Sequence, residues 1–137
     1  MKKSSKKINY TYAIGRRKEA SARIRLYRGK GESTVNSKPA EKYFGGEVFK
    51  KILAGPFGVT ETSGKYYYSA RINGGGKNGQ VEALVLGISR ALAKISADKF
   101  KPLLRKFGFL TRDSRVRQRR MIGTGGKARR EKQSPKR

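Results

Sequence analysis

In ASARIRLY, residues 20–27, Ala20, Ala22, Ile24 and Leu26 fall on one side of an extended chain and Arg23 and Arg25 on the other. A period of two predicts a half-buried strand, and its second face is basic rather than merely polar. KYYYSARI, residues 65–72, alternates again, with Tyr66, Tyr68, Ala70 and Ile72 on one face and Tyr67, Ser69 and Arg71 on the other. After the first strand, RGKG reads as a hairpin turn leading into a further strand, ESTVNSKP. PAEKYFGGEVFKKIL predicts a helix that starts at Pro39 and is interrupted at Gly45-Gly46. The period then lengthens: Val81, Leu84, Val85, Ile88, Leu92 and Ile95 recur at helical spacing as one apolar stripe. A last helix spans about residues 97–107 and ends near Gly108. The elements predict one small α+β domain over residues 10–110.

Charge changes the picture. Among 137 residues, 35 are Lys or Arg and 9 are Asp or Glu, a formal net charge of +26. Such an excess repels itself in a compact state and implies a polyanionic partner, nucleic acid first and an anionic membrane surface second. No apolar run approaches the ~20 residues that a membrane span needs. Cys and His are both absent. That removes thiol nucleophiles, zinc ribbons and the commonest general base, and neither a metal nor a cofactor is expected. Residues 1–9 read as a basic N-terminal arm with no apolar stretch behind it, so neither a secretory signal nor a transit peptide is expected, which favours a bacterial cytoplasm. Residues 111–137 carry 11 basic and 2 acidic residues with few apolar ones. Alone this segment cannot offset its ordering entropy, so it reads as an extended arm bound to a polyanion.

Three clusters are candidates for contact with that partner. GRRKEASARIR sets Arg16, Arg17, Lys18, Arg23 and Arg25 around a glycine turn and a strand, a footprint for a phosphate backbone. Of the three adjacent tyrosines, two are expected in the core, since strand aromatics usually pack, and only Tyr67 is expected to face a partner for base stacking. RINGGGKNGQ contains Gly74-x-Gly76-x-x-Gly79 before a helix. A dinucleotide site would need a second parallel strand ending in an acid ~20 residues on; Asp98 stands near that distance, but helix-like sequence surrounds it. Two readings remain: a turn letting backbone pass close to a neighbour, or Gly74, Gly75 and Gly76 offering N–H groups to RNA phosphate at a helix start.

The chain resembles the small-subunit ribosomal protein S-nine family in its bacterial form. The resemblance rests on YAIGRRKEASARIRL, VNSKPAEKYF, GGGKNGQVEALVLGISRAL and GFLTRDSRV. It implies a two-layer α/β sandwich like the second domain of ribosomal protein S-five, with a left-handed βαβ crossover. It also implies a non-enzymatic structural role in the head of the small ribosomal subunit, beside neighbouring head proteins. Small-subunit rRNA would be bound by the basic strand, by Lys77, Gln80 and Arg90 of the glycine-helix stretch, and by the tail cations Arg112, Arg115, Arg117, Arg119, Arg120, Lys127, Arg129 and Arg130. The terminal Lys136-Arg137 pair would touch peptidyl-site tRNA. The tail departs from the family pattern at Gln118, at Thr124-Gly125-Gly126 and at Pro135. Alternatives from other classes are a nucleic-acid-compacting protein acting away from the ribosome and a nucleotide-dependent transferase.

Overall fold

The computed structural model describes residues 9–120 and Ile122. The elements run β1 (Tyr10–Arg17), β2 (Ala20–Arg28), β3 (Thr34–Val35), β4 (Lys38–Pro39), α1 (Ala40–Phe44), α2 (Glu47–Val59), β5 (Tyr66–Asn73), α3 (Lys77–Ile95) and α4 (Ala97–Lys106). One sheet carries all five strands in the order β1-β2-β5-β3-β4. β1, β2 and β5 pair antiparallel, while β3 lies parallel to β5. The connection between that parallel pair runs through β4, α1 and α2. The result is a mixed α/β sandwich, in line with the expected fold.

The predicted alternation in β2 and β5 sets their burial. Ala20, Ala22, Ile24 and Leu26 of β2 and Tyr68, Ala70 and Ile72 of β5 are buried beneath the helices. Of the tyrosines, Tyr68 is buried, Tyr66 packs against the core and Tyr67 lies on the opposite face. Helix α3 crosses this sheet, and α2 and α4 also pack on α3. Most residues of α3 from Val81 to Leu92 are consequently buried, including Ala83, Leu86 and Ser89, which the stripe did not contain. Ile95, at the end of the stripe, is 37% exposed.

Three expectations need correction. RGKG does not join neighbouring strands, because β2 pairs with β1 and β5 on its two sides. ESTVNSKP is a hairpin in itself: Val35 pairs with Lys38. Its turn residues Asn36 and Ser37 have φ of 49° and 67°, as a two-residue hairpin of the right twist demands. Asn36 accepts a bond from the Ile72 N–H (2.9 Å) and donates to the Ile72 carbonyl (3.0 Å), so its amide continues the β5 ladder where β3 ends. The third correction is Gly15, which lies within a strand and not in a turn. β1 showed no clear alternation because its inner face reads Thr11, Ala13, Gly15, Arg17, with only one ordinary apolar side chain among them.

The reason for that inner face is the closeness of α3. A Cβ built on Gly15 collides with the Ala83 carbonyl oxygen and stands 2.6 Å from the Gly87 nitrogen. One built on Gly87 collides with Ile24 Cδ1. Helix and strand backbones touch at this glycine pair, and no side chain fits between them.

Gly15→Ala is therefore expected to destabilise the fold by about 2–3 kcal/mol or more, at the upper end of overpacking effects, since the obstacle is backbone. Gly58→Ala, in open space on α2, should be neutral or stabilise by about 0.5–1 kcal/mol through helix propensity. Urea denaturation of both variants with matched m-values checks the contrast.

Candidate nucleic-acid interface

The face of the sheet turned away from α3 is open over much of its area, with the chain at Gly31 packed against Tyr67. The register arranges it in rows. Tyr10, Tyr27 and Tyr67 stand abreast, then Tyr12, Arg25 and Ser69, then Ile14, Arg23 and Arg71, then Arg16, Ser21 and Asn73. Four arginines share this face, and no strand residue on it is acidic. Arg16, Arg23 and Arg25 are exposed here, Arg23 and Arg25 as the alternation of β2 implied. Arg71 was legible on the same face from its own strand pattern but was not singled out. Tyr10 and Tyr12 were missed with β1, and the every-second-residue run Tyr10, Tyr12, Ile14, Arg16 is the signal that would have found them.

The five cations of GRRKEASARIR do not converge. Arg17 points to the inner face and is buried. Its Nε donates to Glu82 Oε2 of α3 (2.5 Å), its NH2 pairs with Asp113 Oδ2 (3.2 Å), and its NH1 donates to the Arg115 carbonyl (2.7 Å). Truncating it would strand these partners, so its charge serves the fold. Lys18 sits at the β1–β2 turn with a φ of 52° and stays exposed.

The glycine turn packs on that same β1–β2 turn. Gly74 and Gly75 have φ of 76° and 66°. A Cβ on Gly74 would lie 2.6 Å from the Glu19 carbonyl, and one on Gly75 3.1 Å from the Ala20 Cβ. Close backbone approach is thus what these two glycines serve. Gly76 differs: it precedes α3 at a φ of −96° and nothing lies within 4 Å of an added Cβ. Lys18, Glu19, Gly75, Gly76 and Lys77 line a shared concavity at the start of α3. After α3 the chain enters α4, and the parallel neighbour of β5 is the earlier strand β3. The strand arrangement of a dinucleotide-binding turn is thus not the one observed.

Two further candidates also turn inward. Gln80 donates to the Gly74 carbonyl (3.0 Å) and accepts from the Tyr43 hydroxyl (3.1 Å), fixing the turn to α1. Arg90 donates to the Ile14 carbonyl (2.8 Å), and Lys94 donates to the Tyr12 carbonyl (2.7 Å). Both cations cover the outer edge of β1, a strand edge that would otherwise offer free acceptors for unwanted pairing.

At the root of the tail, Arg112 is half-buried and bonds the Asp113 carbonyl. Arg115 forks onto the Asp113 carboxylate, Nε to Oδ1 at 3.0 Å and NH2 to Oδ2 at 2.8 Å. Hydrogen bonds from the Arg115 side chain and backbone, with the positive charges of Arg115 and Arg17, hold the Asp113 carboxyl well below its usual range. Arg117, Arg119 and Arg120 are exposed. Lys127, Arg129, Arg130, Lys136 and Arg137, with residues 1–8 of the predicted arm, lie outside the described residues.

A family model described as Ribosomal protein S9/S16 matches residues 15–137. Over 125 residues the chain is 46% identical to "Small ribosomal subunit protein uS9" of Leifsonia xyli subsp. xyli (strain CTCB07), covering 91% of this chain and 74% of that protein. It is 45% identical over 111 residues to the protein of the same name from Cutibacterium acnes (strain DSM 16379 / KPA171202), covering 81% of this chain and 64% of that protein. The matched stretch thus spans less than two thirds of the second relative's length.

The Asp113 clamp carries a pH dependence whose sign is fixed. Its folded pKa is depressed, so its contribution is fully present above the unfolded carboxylate value of about 3.9 and is lost as pH falls below it. Exchange of the Arg115 amide, which donates to Asp113 Oδ1 (3.1 Å), corrected for intrinsic rates, should be flat between pH 5 and 8 and accelerate below about pH 4. Asp113→Ala, which removes the acceptor, should give the fast exchange at every pH.

Proposed function

This chain belongs to the ribosomal protein S9/S16 family, and from that premise we propose that it is a structural protein of the small ribosomal subunit whose open sheet face binds rRNA. The observation that carries the reading is the row pattern of that face: four arginines, exposed aromatic rings and no strand carboxylate. Arginine presents a planar fork of donors that matches phosphate oxygens. Lys18, Lys77 and the Gly76 end of α3 extend the cationic surface around the β1–β2 turn. Beyond the clamp at Asp113, Arg117, Arg119 and Arg120 are exposed and offer further guanidinium groups to RNA phosphates.

The role is that of a scaffold. Cations replace the counterions of folded RNA and hold its segments in register, and no bond is made or broken. The protein acts on the ribosome, which in a bacterium is cytoplasmic, beside other proteins of the subunit head. The resemblance read from the sequence extends the proposal to the terminal Lys136-Arg137 pair, which would reach peptidyl-site tRNA. Identity with relatives named as small-subunit proteins, and a family match running to residue 137, support that extension.

Binding of the full chain to a small-subunit rRNA fragment should weaken steeply with salt. Each phosphate neutralised adds about 0.7–0.9 to the magnitude of the log–log slope. The double variant Arg23→Gln/Arg71→Gln should reduce that slope by about 1.4–1.8 at unchanged fold, since both side chains are exposed. A flat plot for the parent protein, or an unchanged slope in the variant, would remove this face from the interface. Deleting Lys136-Arg137 should leave subunit incorporation intact, as judged by co-sedimentation, and lower peptidyl-site tRNA affinity modestly. Equal tRNA affinity would end the proposed contact.

A further inference from the structure

The open face is not uniform from end to end. The rows at one end hold Ile14, Arg23, Arg71 and Arg16, and those at the other hold Tyr10, Tyr27, Tyr67 and Tyr12. Tyr27 and Tyr67 are stacked, centroids 5.1 Å apart and 17° between planes. The backbone of Gly31 closes the far side of Tyr67, where an added Cβ would stand 2.9 Å from the ring. That pair is therefore backing. On the edge strand the rings are open: Tyr10 is 48% and Tyr12 42% exposed. Tyr10 leans on Tyr27 at 59°, and the Arg25 guanidinium lies over its ring at 5.1 Å. Tyr10 is therefore already held by Tyr27 and Arg25, so contact with its remaining exposed surface orders little that is not already ordered.

We propose that Tyr10 and Tyr12, with the Arg25 guanidinium that lies over the Tyr10 ring, form a stacking platform for unpaired RNA bases, and that Arg23, Arg71 and Arg16 hold the phosphates of the same strand. This deepens the rRNA reading and rests on it. The argument is complementarity. Exposed ring faces gain from contact with a flat, weakly hydrated surface, which a base offers only when it is out of its helix. The sugar–phosphate surface of a duplex would satisfy the arginines and leave the tyrosines facing charge. A single strand laid across the rows meets both chemistries in the order in which they occur. Base stacking on aromatic side chains is tolerant of sequence because every base has a π-face, so the platform selects unpaired over paired RNA and not one base over another.

The test uses the full chain and three RNA probes at one salt concentration: a ten-nucleotide unpaired strand, a ribose-phosphate strand of equal length lacking bases, and a hairpin duplex. The unpaired strand should bind at least about fivefold more tightly than the base-less one, with the same salt slope. Tyr10→Leu/Tyr12→Leu should abolish that preference, and Tyr10→Phe/Tyr12→Phe should retain it. The Phe pair separates lost stacking from lost folding, and circular dichroism reports the fold of both. Equal binding of strands with and without bases, or a preference that survives in the Leu pair, would overturn the platform while salt-dependent RNA binding leaves the rRNA reading standing. Absence of binding to all three probes would overturn both.

Discussion

Everything on the surface of this domain follows from how near α3 lies to β1. Gly15 and Gly87 meet with no side chain between them, which puts helix backbone against strand backbone. At that separation three polar side chains of α3 reach the sheet. Glu82 meets Arg17, Arg90 meets the Ile14 carbonyl, and Lys94 meets the Tyr12 carbonyl. The first fixes where the tail leaves, because Arg17 also grips Asp113 and Arg115. The other two shield the free edge of the sheet. With its helices all gathered on one side, the sheet presents its other side to a partner.

The same contact sorts the cations. A chain of net charge +26 has many more basic groups than a fold of this size can pair internally. Arg17 and Arg90 are bound within the domain, and Arg115 is chelated by Asp113. Arg16, Arg23, Arg25 and Arg71 have been left on a face without strand carboxylates. The sorting is physical: a guanidinium under α3 is desolvated and needs partners, whereas one on the open face keeps its water until RNA replaces it.

Much of the fold was legible in the sequence because its longer elements alternate cleanly. β2 and β5 showed period two, α3 showed a helical stripe, and Gly45-Gly46 marked the break between α1 and α2. What the pattern hid has definite causes. β1 carries Gly15 and Arg17 where a strand's core side chains would stand, so its inner face did not read as apolar. β3 and β4 are two residues long, too short for any period. The inward turn of Arg17 depends on Glu82, 65 residues away, and local sequence does not show such a partner. The part of the open face on β2 and β5, with Arg23, Arg25, Tyr67, Ser69 and Arg71, could be read from alternation. The β1 part, Tyr10, Tyr12, Ile14 and Arg16, did not show there. The glycine turn was read with two uses open: Gly74 and Gly75 serve close packing, and Gly76 is accessible.

The central claim is that the open sheet face, and not the tail alone, is an RNA interface. Hydroxyl-radical oxidation read by mass spectrometry tests it directly, comparing the free protein with the protein assembled in the small subunit. The account predicts that Tyr10 and Tyr12, exposed in the free chain, become protected on assembly, while buried Tyr68 stays unreactive in both. Tyrosines on β1 as reactive in the subunit as in the free protein would contradict it.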